Sequence, residues 1–199
     1  MRAQRDQELF SALKEADFLI PDGIGVTIGL WLIYGEKTSR TTGIGIMKGL
    51  LDLAAKKKYR VFVFGSTPEV NSRVSSEILK RYPSLCLVGA QHGYIPDEDH
   101  KALVEKINAL KTDLLFVGLG SPKQEKWIYR YKEHLKAKIC MGVGGSLDVI
   151  AAKIPRAPIF FQDAGLEWLY RLIREPRRLK RQMILPKFVL QILKEKLLS

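Results

Sequence analysis

The sequence predicts an α/β protein in which a mostly parallel sheet carries helices on both faces. Short apolar strand patterns alternate with helical patterns along most of the chain, and each predicted strand ends in a glycine turn. This alternation stops after residue 153, where Pro155 and Pro158 interrupt the chain. The chain has 199 residues and 46% hydrophobic composition, which suits one sizeable core. We therefore expect a Rossmann-like core at residues 1–156 and a basic helical appendage at residues 157–199.

The N-terminal third is expected to contain three helices and one short strand. Residues 6–17 have apolar side chains at helical spacing, and residues 17–20 form a short apolar run that is typical of a strand. Residues 24–34 are almost wholly apolar, which predicts a buried helix. A polar loop at 36–43 precedes a helix at 46–56, whose inner side is predicted to carry Met47, Leu50, Leu51 and Leu53.

The middle of the chain has the rhythm of repeated βαβ units. Strands are predicted at 60–64, 85–88, 113–117 and 138–143. Helices are predicted between them, at residues 67–81, at residues 97–110 and from residue 121 onward. Thr67-Pro68 and Ser121-Pro122 both have the pattern of a capping residue followed by a proline at the first helical position.

Because the carboxyl ends of parallel strands meet at one edge of a sheet, the turns after these strands predict a ligand site there. Asp22 follows the first apolar run and is the only charged residue between Asp17 and Glu36, so we expect it to be the reactive carboxylate. Gln124 lies in the first turn of a helix at the same edge. The other candidate binding residues at this edge are Gly23, Gly65, His92, Tyr94, Gly118, Gly120, Gly144 and Ser146.

Each of these motifs also has a simpler interpretation. The pairs Gly23-x-Gly25, Gly43-x-Gly45 and Gly118-x-Gly120 are incomplete dinucleotide fingerprints, so their glycines either cradle an anion or only form turns. His92 either binds a ligand or holds its turn. The side chain of Gln124 either bonds a sugar or base, or is solvated at a helix start. The acids at residues 97–99 are expected to cap a helix rather than bind a metal.

The net charge of +12 is concentrated at the C-terminus. Residues 168–199 contain nine Lys or Arg and two acids, a net +7. Such asymmetry indicates an anionic partner, such as a membrane surface, a nucleic acid or a phosphorylated substrate, although a solvated basic helix has the same pattern. Arg171, Arg174, Arg178 and Arg181 would share one face of a continuous helix, and neighbouring apolar residues favour a membrane-surface element.

The two cysteines, Cys86 and Cys140, lie far apart in apolar runs and are expected to be buried thiols of a cytosolic protein. No run is long and apolar enough to predict a membrane span, and the polar N-terminus does not resemble a signal peptide.

Several strings in the sequence resemble the WecG/TagA/CpsF glycosyltransferases, and the resemblance extends over nearly the whole chain. The strings that match this family are Ile20-Pro21-Asp22-Gly23, Arg40-x-x-Gly43, Gly93-Tyr94, Gly118-x-Gly120-x-Pro122-Lys123-Gln124-Glu125-Lys126-Trp127, Gly142-Val143-Gly144-Gly145-Ser146-x-Asp148, Arg156-Ala157-Pro158 and Gly165-Leu166-Glu167-Trp168-Leu169-Tyr170-Arg171. In character, the sequence is most similar to the TagA-like enzymes of wall teichoic acid synthesis.

The resemblance implies transfer of N-acetylmannosamine from UDP-ManNAc to the 4-hydroxyl of GlcNAc on undecaprenyl diphosphate, with inversion and without a metal or other cofactor. It implies that Asp22 is the general base and that Arg40 and Gln124 lie in the active site. Arg171, Arg178 and Arg181 would bind the diphosphate. It further implies a homo-oligomer that acts as a peripheral protein on the cytoplasmic face of the membrane, with no nucleic-acid partner.

The sequence departs from the family pattern in two places. Family members carry a further N-terminal segment that borders the catalytic aspartate, so we expect either a fragment, a misassigned start or an incomplete site. Gly45 stands where the family often has an aspartate. The alternatives are a relative that uses UDP-ManNAcA or another hexose donor, an inactive nucleotide-sugar-binding relic and, last, a nucleic-acid-binding module.

Overall fold

A computed structural model describes residues 2–35, 41–152, 158, 160–161, 166–174 and 185–198. The chain divides into two compact units. The sheet unit comprises Arg2–Leu19 and Gly43–Pro155, and the helical unit comprises Ile20–Thr42 and Arg156–Ser199. The predicted boundary at residue 156 falls outside the described residues and stays a prediction.

The sheet unit confirms the predicted alternation of strands and helices. Its strands pair in the order β2-β1-β3-β4 and are all parallel. The described elements of this unit are α1 (Gln7–Lys14), α3 (Gly43–Lys57), β1 (Arg60–Gly65), α4 (Pro68–Arg81), β2 (Cys86–Gln91), α5 (Asp99–Ala109), β3 (Leu114–Gly118), α6 (Lys123–Tyr131), β4 (Ile139–Gly142) and α7 (Ser146–Ile150). In the helical unit they are α2 (Ile24–Tyr34), α8 (Glu167–Arg174) and α9 (Leu185–Leu198).

The two central strands are apolar on both faces, as expected for a parallel sheet that is covered on both sides. Because side chains alternate along a strand, Val61 and Val63 belong to one core cluster and Phe62 and Phe64 to the other. The first cluster draws buried side chains from α3, α4 and α7, and the second draws them from α5 and α6. The helices therefore lie on both faces, as predicted.

The helical unit is held by close packing between α2 and α9. A Cβ added at Gly29 would lie 2.8 Å from Cδ1 of Ile192, and one added at Gly25 would lie 3.5 Å from Cε1 of Phe188. The absence of a side chain at Gly29 lets α9 approach α2, where Ile192 is buried, and Phe188 would lie at ordinary contact distance from a Cβ at Gly25.

Two predictions about the N-terminal third were wrong, and a third was wrong in one residue. Residues 17–20 form no strand, because a strand needs a neighbour to pair with; Phe18 is instead 88% exposed. The helix at 24–34 forms as predicted but is not buried: Gly29 is its one buried residue, and Trp31 and Tyr34 are exposed. On α3, Met47 and Leu51 are buried and Leu50 packs against the core as predicted, but Leu53 is exposed. Ile44 and Ala54 complete the buried side of this helix.

Other differences concern local geometry. The helix after Ser121-Pro122 begins only at Lys123, with no side-chain cap, so the capping pattern seen at Thr67-Pro68 does not recur; the Ser121-Pro122 peptide is cis. Strand β2 continues to Gln91, three residues past the predicted end at residue 88. Both cysteines are free and only partly buried, and burial raises the pKa of the Cys140 thiol to about 11.

Candidate functional site at the carboxyl edge of the sheet

The order of the strands places a topological switch point between β1 and β3. From β1 the chain crosses to β2 on one side, and from β3 it crosses to β4 on the other. Ligands of open α/β sheets bind in the crevice outside the carboxyl ends of the strands at such a point. Gly65 ends β1 and Gly118 ends β3, so these two glycines define the floor of the candidate site.

The loops around this point are joined by backbone hydrogen bonds. The amide of Ser66 donates to the carbonyl of Gly118 at 2.9 Å, and the amide of Gly93 donates to the carbonyl of Ser66 at 2.9 Å. Gly118 itself is closed in by α7, since a Cβ there would lie 2.3 Å from Cδ1 of Leu147. The turns after β1, β2 and β3 therefore form one connected rim.

Asn71 was missed by the sequence analysis, although it joins two strands of this rim. Its side chain is buried, with 6% of its surface exposed, and its Nδ2 donates to the carbonyls of Gly65 (3.1 Å) and Gln91 (3.0 Å). The sequence contains a pattern that predicts its burial, because Asn71 is a polar residue at helical spacing from Val74 and Ile78, on the buried face of the helix. A buried amide at a helix start indicates a structural tie between the ends of β1 and β2.

Gln124 joins the loops on the other side of the switch point. It is 7% exposed, and its Oε1 accepts from the amides of Gly120 (3.2 Å) and Gly144 (2.9 Å). Its Nε2 donates to Oε1 of Glu125 at 3.0 Å. The sequence predicts Gln124 at this edge but not its contact with Gly144, which is distant in sequence.

His92 and Tyr94 lie in the loop after β2. The amide of Tyr94 donates to Nδ1 of His92 at 3.3 Å, so Nε2 is the nitrogen that carries the proton in the neutral ring. Tyr94 is 73% exposed. This loop therefore offers an imidazole N–H donor and a phenol at the sheet edge. Ser146 opens α7, where its amide donates to the carbonyl of Val143 at 2.9 Å.

Helix α6 carries Gln124 and is anchored on two sides. Trp127 packs in the core cluster with Phe64, at 4.9 Å between ring centroids, and its Nε1 donates to Nδ1 of His100 at 2.9 Å. On the outer side α6 is linked to α1 by ion pairs. These join Lys126 to Asp6 and Glu8, Arg130 to Glu8, and Lys132 to Glu15.

Asp22 belongs to the helical unit, where it is exposed and lies just before α2. Its amide donates to the carbonyl of Ile20 at 2.9 Å, and Gly23 is the N-terminal cap residue of α2. The predicted site residues Arg40, Arg178 and Arg181 lie outside the described residues. Arg171 is part of α8, but its side chain is likewise not described.

Within the sheet unit the structure thus brings together Gly65, Gly118, Gly120, Gln124 and Gly144. The described residues contain no cluster of three His, Cys, Asp or Glu side chains that could hold a metal ion. They also contain no helix with the length and hydrophobicity to span a membrane.

Comparison with known proteins extends these observations. The sequence model of the "Glycosyl transferase WecG/TagA/CpsF family" matches residues 1–199. Three similar curated proteins come from Bacillus subtilis strain 168 (38% identical), Bacillus spizizenii (36%) and Staphylococcus aureus strain MRSA252 (34%). The matches cover 97%, 96% and 98% of this chain and 75%, 74% and 76% of those proteins. All three are named N-acetylglucosaminyldiphosphoundecaprenol N-acetyl-beta-D-mannosaminyltransferase. With its parallel α/β sheet and a family match over its whole length, this chain belongs to the WecG/TagA/CpsF glycosyltransferase family.

Proposed function

We propose that this glycosyltransferase moves N-acetylmannosamine from UDP-ManNAc to the 4-hydroxyl of GlcNAc on undecaprenyl diphosphate. The observation that carries the proposal is the name shared by the three relatives, which match almost the full length of this chain. The connected rim at the switch point of the sheet supports it, because this is where open α/β sheets bind nucleotide-like ligands.

The proposed reaction is an inverting transfer without a metal. The acceptor oxygen forms a bond to the anomeric carbon of the sugar as the bond from that carbon to UDP breaks, and the UDP oxygen takes the bonding electrons. Asp22 takes the proton from the acceptor hydroxyl. A carboxylate suits this role because its oxygens accept a proton from a hydroxyl group within hydrogen-bond reach.

The remaining predicted residues would bind the two substrates. Gly65, Gly118, Gly120, Gln124 and Gly144 would shape the crevice, with Ser146 beside it. His92 would offer a hydrogen-bond donor and Tyr94 a stacking surface. Arg40, Arg171, Arg178 and Arg181 would neutralise the charge that gathers on the departing diphosphate, a task for which guanidinium groups are well suited.

We also propose that the enzyme works as a homo-oligomer at the inner face of the cytoplasmic membrane. Helix α9 supports the membrane contact, since its exposed apolar residues Val189, Leu190 and Leu193 are accompanied by three lysines. Basic and apolar side chains together favour binding to an anionic lipid surface. An undecaprenyl acceptor would be held in that surface.

The first test is the replacement Asp22→Ala, assayed with UDP-ManNAc and a short-chain lipid diphosphate acceptor. Loss of a general base should lower kcat by about 100- to 10,000-fold. The exposed Asp17 supplies the control, because Asp17→Ala removes a nearby carboxylate that the proposal does not use. Normal turnover by Asp22→Ala would refute the role of Asp22.

A donor panel with a single acceptor tests the substrate. Transfer from UDP-ManNAcA or another hexose donor in place of UDP-ManNAc would favour a different member of the family. Binding of UDP without any transfer would favour the inactive relic.

Calorimetry with Arg178→Glu tests the contact between Arg178 and the diphosphate of UDP, with the exposed Arg73→Glu as control. An unchanged UDP affinity in Arg178→Glu would contradict that contact.

A further inference from the structure

We propose that Gln124 and Glu125 act as one positioning pair, in which the carboxyl group of Glu125 orients the amide that joins the loops after β3 and β4. The inference rests on the proposed function, because it concerns the crevice in which the sugar donor would bind. In this proposal Glu125 has a role in the site, and Gln124 contributes through its hydrogen bonds to the protein rather than through direct contact with the substrate.

The orientation of the Gln124 amide follows from its neighbours. Two backbone N–H groups, those of Gly120 and Gly144, point at the same atom, and two donors require that atom to be the oxygen. The nitrogen must then face an acceptor, and Oε1 of Glu125 is that acceptor at 3.0 Å. If the amide were flipped, Nε2 would face the N–H groups of Gly120 and Gly144, and Oε1 would face the carboxyl oxygen of Glu125, so none of the three hydrogen bonds could form.

The three glycines around this amide are required for different reasons: Gly142 has no space for a side chain, and Gly120 and Gly144 have backbone conformations that favour glycine. A Cβ added at Gly142 would lie 2.8 Å from Nε2 of Gln124, and one at Gly144 would lie 3.6 Å from Oε1. Gly120 and Gly144 both have positive φ angles, +77° and +47°, a backbone conformation that glycine adopts most readily. The side chain of Gln124 thus occupies a slot formed by the backbone of two loops.

The contacts explain how the pair would act on the reaction. Both lone pairs of the Gln124 oxygen are used by the amides of Gly120 and Gly144, so that oxygen holds two loops together. These loops follow the neighbouring strands β3 and β4 at the edge of the switch-point crevice. Displacement of the amide would therefore change the shape of the crevice, and small misplacement of bound substrate is costly to the rate.

The other oxygen of Glu125 supports a role beyond stability. Oε2 is buried and has no hydrogen-bond partner within the part of the chain that the structure describes. An unpaired buried carboxyl oxygen costs free energy. A residue selected only for stability would avoid that cost, whereas a residue that must hold the neighbouring amide in one orientation needs a carboxyl oxygen at this place.

A reciprocal exchange tests the pair. In Q124E the two neighbouring carboxyl groups repel each other, and in E125Q the amide loses its charged acceptor. We expect each single variant to lower kcat/KM by about 10- to 100-fold, as interaction energies between residues in contact predict. In the double variant Q124E/E125Q, residue 124 still accepts from both glycine amides and residue 125 donates to it. The double variant should therefore recover to within about threefold of the wild type.

The exchange separates positioning from direct contact with substrate. If the Gln124 amide donated a hydrogen bond to the substrate, the double variant would stay as inactive as Q124E, and the proposal would be overturned. Wild-type kcat/KM in E125Q would overturn it too. The exposed Glu133→Gln is the matched control for the loss of a carboxyl group from the sheet unit, and should leave kcat/KM unchanged.

A second measurement does not depend on the activity. The amide NMR signals of Gly120 and Gly144 should shift in both single variants and return toward their wild-type positions in the double variant. Unshifted signals in E125Q would refute the pair even in a preparation without activity. If the wild type transfers sugar from none of the donors, the proposed function is wrong, and the NMR signals of Gly120 and Gly144 alone test whether Gln124 and Glu125 act as a positioning pair. Should Q124E not fold, E125Q and the double variant supply the same comparison.

Discussion

Gly65 and Gly118 touch backbone to backbone where β1 and β3 end. A Cβ on Gly65 would lie 2.4 Å from the carbonyl carbon and oxygen of Gly118, and the φ angle of Gly65 is +126°. No other residue type fits this point, because both the space and the backbone conformation require glycine. This contact sets the spacing of the two strands at the centre of the candidate site.

The replacement Gly65→Ala should therefore destabilise the protein by about 3 kcal/mol or more, since it combines backbone strain with a clash that no side-chain movement can relieve. Urea denaturation at pH 7 measures this change. Gly49→Ala is the control: its Cβ meets nothing within 4 Å, and alanine should stabilise α3 by roughly 0.5–1 kcal/mol. Equal stability of Gly65→Ala and wild type would contradict the described contact.

Asn71→Ala should cost about 1–3 kcal/mol, because the carbonyls of Gly65 and Gln91 lose their buried donor. The same variant should weaken UDP binding, as the ends of β1 and β2 are no longer tied together. Denaturation and calorimetry measure the two effects. The exposed neighbour Ser72→Ala should stay within about 0.5 kcal/mol of the wild type. A stable Asn71→Ala that binds UDP normally would exclude this role.

The ion pairs between α1 and α6 predict a loss of stability in acid. Hydrogen bonds from Lys126, Arg130 and Lys132 lower the pKa values of Asp6, Glu8 and Glu15 respectively. A carboxyl group whose pKa is lower in the folded state stabilises the protein at neutral pH. That contribution falls as the pH drops below the ordinary values of 3.8 for Asp and 4.5 for Glu.

Glu15→Gln tests this link, because it removes the partner of Lys132. Its urea midpoint should lie below that of the wild type at pH 7, and the difference should shrink with added salt and disappear at a pH well below 4. Glu105→Gln, which removes an exposed carboxyl group on α5, supplies the comparison. A difference that is independent of pH would mean that charge is not what Glu15 contributes.

In the helical unit, Gly29→Leu should displace α9 from α2. Its side chain would occupy the place of Ile192, whose Cδ1 lies 2.8 Å from a Cβ at that position. Overfilling of such a contact costs about 1–3 kcal/mol. Limited trypsin digestion should then cut sooner at Lys187, Lys194 or Lys196 on α9. The exposed Val26→Leu should leave the cutting rate unchanged. Unchanged digestion of Gly29→Leu would show that the two helices do not need this contact.

Much of the sheet unit was predictable from local patterns. Strands β1 and β3 consist of apolar runs buried on both faces, and Thr67 accepts from the amide of Val70 at the start of α4, as its position before a proline predicts. Such features depend on neighbours only a few residues away. Residues 17–20 have an equally apolar pattern, but a strand requires a partner to pair with, and the pattern does not contain that information.

The sequence by itself determined the fold class and the family, and it predicted the edge of the sheet at which a ligand would bind. It did so because hydrophobic periodicity, turn residues and family strings are all local properties of the chain. Only the tertiary structure decided how the polar side chains at that edge are used. Gln124 lies on the helix after β3 and accepts a hydrogen bond from Gly144 in the loop after β4. Asn71 lies on the helix after β1 and donates a hydrogen bond to Gln91 at the end of β2. Hydrogen bonds of this kind depend on the order of the strands in space, which no local pattern specifies.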